Sequence, residues 1–459
     1  MDMEKLRQDW LEQVCRKTRG NGKFPGKRKG GYLHFDLRIP VISDEITNNV
    51  WNPDWVAKHS FYPFIRFVKS TWRYMHSKEG SPKKKEFKLK DRPIDFAAHM
   101  DALVYSWYSA ILLDLYEFEL KRRAISDVAI AYRSLNGKSN IEFAGDIIEF
   151  VRAHPEYTAL TFDVSKFFET IDHIKLKNQW SKLLGVQSLP ADHYRVFKSL
   201  TQYCYVGIEQ LHKVFGFEQI DHAKRRRVCG SAELREKVCN SGLLIKNSNS
   251  REENGKKYTV GIPQGTSLSC VLANIYMIDF DEAVQGLVNS IGGLYRRYSD
   301  DIIVVIPSDQ SDKMKSFIPK EMEKINLAIN NGKTEDRHFT VVKGKLVSFN
   351  GVTLKASPLQ YLGIMFDGED SLLRHAGIAR FQRRRNQVIR HILKKLPVGR
   401  HVPKKEFIQK FTNEGRENYL VYAKRAKRIL NSKKIGRQIS WKRTSQQLQK
   451  QIDKSLKIK

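Results

Sequence analysis

Apolar and polar positions alternate most tellingly around residues 294–306. Leu294-Tyr295-Arg296 leads into Arg297-Tyr298-Ser299-Asp300-Asp301, and the apolar run Ile302-Ile303-Val304-Val305-Ile306 follows. Two β-prone runs meeting at a short polar turn predict a hairpin, and the turn presents two adjacent carboxylates. Upstream, an apolar strand through Ala159, Leu160 and Phe162 ends at Asp163, after which Phe167, Phe168 and Ile171 are spaced as at the start of a helix. Between these segments lies a Gly/Pro loop, Gly261-Ile262-Pro263-Gln264-Gly265, which runs into the helical pattern Val271-Leu272-Ala273-Asn274-Ile275-Tyr276-Met277. Such a loop lets the backbone approach a ligand closely.

The remaining pattern predicts further elements. A short amphipathic helix spans residues 6–15, and a Gly/Lys/Arg-rich loop covers 17–31. Trp51, Trp55, Phe61, Phe64 and Phe67 pack a small N-terminal layer. Phe87-Lys88-Leu89-Lys90 alternates as an exposed hairpin strand does, leading through Asp91-Arg92-Pro93-Ile94 to a long helix over 101–123. Residues 129–140 read as a short strand and a basic Gly-containing turn, with a helix from Ile141. Residues 174–256 read as mostly helical, ending in a loop over 246–257 that follows the basic run Lys224-Arg225-Arg226-Arg227. A helix over 313–330 then precedes Gly332-Lys333-Thr334. That tripeptide also ends a nucleotide-binding P-loop, but the glycine such a loop requires is replaced by Leu327.

Charge alters the picture. The 459-residue chain is 41% hydrophobic, enough for a large core, yet carries a net charge of +31. A folded chain this basic usually meets a polyanion, and nucleic acid is the expected partner. Residues 376–459 hold twenty-five Lys/Arg against four Asp/Glu, or +21 of that total. Interleaved Phe381, Val388, Ile389, Ile392, Leu393, Phe407, Phe411, Leu420, Val421, Ile429, Leu430 and Leu448 predict a small helical bundle with a basic face. Cys15, Cys204, Cys229, Cys239 and Cys270 form no C-x-x-C pair, which argues against a disulfide framework or zinc ribbon. No run is long enough to span a membrane, and the N-terminus lacks an apolar signal core, so a soluble cytoplasmic protein is expected.

The three central segments, taken in order, resemble the palm motifs of reverse transcriptases: an Asp followed five residues later by an aromatic, a Pro-Gln-Gly loop, and Tyr-x-Asp-Asp. The resemblance implies an α+β right-hand polymerase fold: an N-terminal extension (1–80), fingers and palm of antiparallel sheet plus helices (81–375), and a basic helical thumb (376–459). It implies two Mg2+ ions, or Mn2+, held by Asp163, Asp300, Asp301 and the carbonyl of Val164, with Lys333 as general acid or charge stabiliser. It also implies nucleotide contacts from the amides of Lys166 and Phe167 and from Gln264 and Gly265. Phe168 would exclude ribonucleotides by filling the space of a 2′-hydroxyl. Lys138 or Arg133 would supply a cation to the incoming nucleotide. Tyr361, Leu362 and Gly363 would form a primer grip, although an ordinary core strand explains them equally well.

The pattern shows no ribonuclease H carboxylate set, integrase pattern or cysteine-rich endonuclease tail. A compact basic chain of this kind looks most like bacterial retron, abortive-infection and defence-associated reverse transcriptases. The implied partners are then a dedicated non-coding RNA template, a DNA product and dNTPs. Two other readings stay open: a ribonucleotide or template-independent polymerase using the same carboxylates, and a non-catalytic RNA-binding protein on a polymerase scaffold.

Overall fold

The computed structural model describes residues 2–19, 32–39, 41–75, 86–216, 226–395 and 418–438. Most of the basic loop expected over 17–31, together with Lys224, Arg225, Phe407, Phe411 and Leu448, lies outside the described residues. Helices and largely antiparallel sheets mix throughout, an α+β architecture. The chain forms two compact units: residues 1–132, 164–283 and 319–329 make the first, and 133–163, 284–318 and 330–459 the second.

In the first unit, Phe64–Met75 and Glu86–Phe96 form a long antiparallel hairpin, and Cys204–Gly207 adds a parallel strand beside Phe64. The helix His99–Arg122 buries Val104, Tyr105, Tyr108, Leu112 and Tyr116, consistent with its nearly all-round apolar sequence. Of the aromatics expected to pack an N-terminal layer, Trp51 meets Trp10 and Trp107 edge to face or tilted at 6.0–6.1 Å, Phe61 stacks on Tyr105 at 5.3 Å, and Phe64 is buried. Phe67, however, is exposed on its strand. Two partly buried hydrogen bonds fasten this layer: His59 Nε2 with Asp101 and His99 Nδ1 with Asp36, both at 2.7 Å.

The second unit is built on a five-stranded antiparallel sheet in the order 345–350, 335–342, 157–163, 301–307, 294–298. Ile302 to Ile306 are all buried, as a central strand covered on both faces requires. The helix Asn140–Ala153 packs Ile141, Ala144, Ile147, Ile148 and Val151 into a core shared with Ala159, Ile303, Val305 and Phe339. Each buried Ile, Val or Phe side chain in it contributes about 1.5–3 kcal/mol. A capping box starts this helix: Ser139 Oγ accepts from the Ile141 amide, and Glu142 accepts from the amide and hydroxyl of Ser139. Leu420, Ala423 and Ala426 of the basic helix Tyr419–Ile429 join the same core, and Arg425 pairs with Glu142 at 2.5 Å.

Three expectations change. The short strand expected at the start of 129–140 shrinks to a single bridge residue at Ala129, because Tyr132 at φ +63 turns the chain, while the expected basic turn forms at Asn136-Gly137. The loop expected over 246–257 contains instead the hairpin Ser250–Glu253/Lys256–Thr259, turned by Asn254-Gly255 with both φ positive. The helix expected to reach residue 330 ends at Lys324, since Asn326 at φ +58 turns the chain out.

Candidate active site

Within the second unit the sheet register brings the acidic residues together. Strand Tyr157–Asp163 pairs antiparallel with Asp301–Pro307, so that Asp163 and Asp301 are direct cross-strand partners. Asp300 sits in the turn to Leu294–Tyr298, where Ser299 alone adopts a left-handed φ of +60. Like charges directly opposite on neighbouring strands are destabilising, which favours a compensating cation. Part of that compensation is present. Lys333, on the short 3-10 turn Asn331–Lys333, donates Nζ to the Asp163 carboxylate, and the Asn330 amide bonds the Asp163 carbonyl at 2.8 Å.

The Asp301 carboxyl is pushed up to about 6 by burial, then by Asp300 and Asp163, against the opposing pull of Lys333 and Arg374. Arg374 is absent from the sequence-derived set, and no motif or spacing marks it. Its amide bonds the Gly363 carbonyl at 3.1 Å. Arg297, also absent from that set, is fully buried and donates to the Ser299 carbonyl at 3.2 Å. A strand cation beside an acidic turn was its only sequence signal.

Among the described residues no three His, Cys, Asp or Glu side chains form a ready-made metal cage. The donor set nevertheless fits a hard divalent ion: three carboxylates on two strand ends, mutually repelling, with one driven toward protonation. Tyr361 lies in the hairpin Leu359–Tyr361/Ile364–Phe366, whose turn residues Leu362 and Gly363 both have positive φ. Among the described residues its buried hydroxyl has no hydrogen-bond partner, and its pKa is raised by burial and by Asp301. Asn140 Nδ2 reaches the Leu362 carbonyl at 3.4 Å. Lys138 is exposed and paired with Asp146 at 2.8 Å, while Arg133 is half-buried in the preceding bend.

The other candidate residues belong to the first unit. Val164 bridges Ile329, and the Ser165 amide bonds the Ala328 carbonyl at 2.8 Å. Lys166 takes a left-handed φ of +47, Phe167 is buried, and Phe168 is half-buried. The Gly-Pro loop is strapped to this segment: the Ile262 amide bonds Phe168 O and the Gly261 amide bonds Ile171 O, both at 2.8 Å. Asp172 caps the next helix and is gripped by Arg251 and Asn326. The Gln264 carbonyl accepts from the Asp95 amide at 2.8 Å. Gly265, at φ +136, lies so near the Asp95 carbonyl that a Cβ would come within 2.6 Å.

The family described as reverse transcriptase (RNA-dependent DNA polymerase) matches residues 211–366, a span that includes the Pro-Gln-Gly loop, the Asp300-Asp301 hairpin and Lys333. No curated protein matches the chain. Similar solved structures include apo telomerase from Candida tropicalis, at 14% identity and a TM-score of 0.34, covering 66% of this chain and 50% of that one. Telomerase from Candida albicans in complex with a TWJ fragment of telomeric RNA is similar at 14% identity and 0.34, covering 85% and 60%. The chain thus spans between half and three-fifths of the length of these two structures. Residues 211–366 are thus similar to the reverse transcriptase (RNA-dependent DNA polymerase) domain.

Proposed function

We propose that the protein extends a primer with dNTPs on an RNA template, using Asp163, Asp300 and Asp301 as the acidic centre. The observation that carries this reading is the cross-strand pairing of Asp163 with Asp301, beside Asp300 and under the reach of Lys333. These carboxylates, with the Val164 carbonyl, would hold two magnesium ions, or manganese. Bound there, such ions neutralise the phosphoryl group and make the primer 3′-oxygen nucleophilic.

The chain's own residues do the rest. The Lys333 ammonium, held on Asp163, is the proton donor or positive charge offered to the leaving pyrophosphate. The amides of Lys166 and Phe167 and the Gln264-Gly265 loop bind the nucleotide. Lys138 or Arg133 adds a cation, and Phe168 excludes the ribose 2′-hydroxyl. Tyr361, Leu362 and Gly363 hold the primer strand. We further infer a bacterial, cytoplasmic enzyme that copies a dedicated non-coding RNA in anti-phage defence, supported by the motif resemblance and the basic C-terminal segment.

Purified protein assayed with dNTPs or rNTPs, with and without an RNA template and a DNA primer, tests the reaction. Magnesium-dependent, template-dependent dNTP incorporation that is lost in Asp300→Ala is expected. Incorporation that ignores the template, prefers rNTPs, or survives Asp300→Ala would refute it. Sequencing the nucleic acid that copurifies tests the template assignment, and one recurrent non-coding RNA is the expected result.

A further inference from the structure

The first unit contains a cavity that the proposed polymerase site does not use. It has a volume of about 250 Å3 and opens beside the helix Ala191–Thr201, at the start of the strands Phe64–Met75 and Cys204–Gly207. Phe61, Tyr62 and Tyr203 supply aromatic wall; Arg195, Lys198 and Gln202 supply polar edge; no Asp or Glu lines it.

The aromatic wall is fixed in place. Phe61 stacks on Tyr105 at 5.3 Å, and Tyr203 stands edge-on to Phe64 at 5.8 Å. The Tyr62 amide is tied to the buried Asp101 carboxylate at 2.9 Å. Arg195 is oriented by donating Nε to the His59 carbonyl at 2.7 Å, and among the described residues neither Arg195 nor Lys198 makes an ion pair. The two cations lie three residues apart on one helix, so they share a face and offer one charge to each of two neighbouring phosphates.

A site with π-faces, unpaired cations and no acid suits a phosphate-bearing aromatic ring. The volume falls below the roughly 300–1,000 Å3 of a drug-sized site, leaving room for one ring rather than a stack. The lining contains no glycine-rich turn to wrap a triphosphate. The chain's surplus of +31 also favours a strand over a free nucleotide.

We propose that this cavity binds one unpaired nucleotide of a single-stranded RNA, with its base against Tyr62 and Tyr203 and its flanking phosphates on Arg195 and Lys198. The site stands independently of the polymerase reading, because its test reads binding alone. Fluorescence anisotropy of the full-length protein with a labelled oligouridine is compared for wild type, Lys198→Glu, and Lys213→Glu as a charge-matched control on another exposed helix position. Lys198→Glu is expected to weaken binding about tenfold and Lys213→Glu much less. In parallel, photocrosslinking with 4-thiouridine-substituted oligouridine is expected to label the peptides that hold Tyr62 and Tyr203. Equal effects of the two charge reversals, or crosslinks that avoid both peptides, would overturn the proposal. Competition by uridine monophosphate as effective as by unlabelled oligouridine would overturn the strand assignment.

Discussion

Replacing Asp300 with Asn removes one carboxylate from the cluster while keeping its shape, and the structure sets both the sign and the size of the effect. The Asp301 carboxyl rises from 3.8 to about 6, with burial as the first cause and Asp300 the second. A shift of this size has a ceiling of about 3 kcal/mol. The surrounding protein crowds this carboxyl, yet Asp301 keeps an exposed surface, so water screens most of that and leaves a share for Asp300 of about 1 kcal/mol.

The folded state holds this proton more tightly than the unfolded chain does. Above pH 6 the repulsion between ionised carboxylates therefore counts fully against folding. As pH falls through 6 toward 3.8, the folded protein takes up the proton and regains that stability. Asp300→Asn is accordingly expected to melt about 1–2 °C higher than wild type at pH 8 in EDTA, with the gap closing below pH 6. Millimolar magnesium should narrow the same gap by raising wild type more than the variant. Differential scanning fluorimetry across pH, with and without magnesium, measures all three. A variant no more stable than wild type at pH 8, or a gap that ignores both pH and magnesium, would refute the electrostatic account of the cluster.

Other perturbations have equally direct readouts. Phe168→Ala is expected to keep dNTP incorporation and admit ribonucleotides, and an unchanged preference for dNTPs in primer extension would count against the sugar filter. Gly265→Ala forces a Cβ to 2.6 Å from the Asp95 carbonyl at a φ that side chains rarely adopt, so urea denaturation should show a loss of about 2–3 kcal/mol. Gly137→Ala, with nothing within 4 Å, should lose only about 1 kcal/mol. Glu142→Gln weakens the capping box and should cost about 1 kcal/mol at neutral pH. Despite partial burial, the Glu142 carboxyl is held down to about 2 by Ser139 and Arg425. Its contribution is present above 4.5 and lost as pH falls toward 2, so the wild-type advantage should vanish in acid.

The sequence made the 294–306 hairpin legible because its apolar run and polar turn are both local signals. It also showed Asp163 at a strand end. The cross-strand partnership of Asp163 with Asp301 depends on register across more than a hundred residues, which no local pattern encodes. Lys333 stands in a Gly-Lys-Thr stretch that resembles a palm motif, whereas Arg374 and the fully buried Arg297 have no spacing that would single them out. Residues 129–131 are buried in an apolar run that reads locally as a strand, and the left-handed, exposed Tyr132 ends it. The hairpin at 250–259 carries Asn254-Gly255, among the strongest local hairpin signals, but its strands are runs of charged residues with no apolar alternation to mark them.

Arg297 carries a lesson for anyone transplanting this acidic turn. A guanidinium wholly withdrawn from solvent is tolerable only where its surroundings already answer its charge, and here one answer is the Ser299 carbonyl of the turn itself. Grafted alone onto a foreign sheet, the loop would bring a stranded cation with it or, stripped of that cation, lose its shape. The portable module is therefore the hairpin together with the bed beneath Arg297.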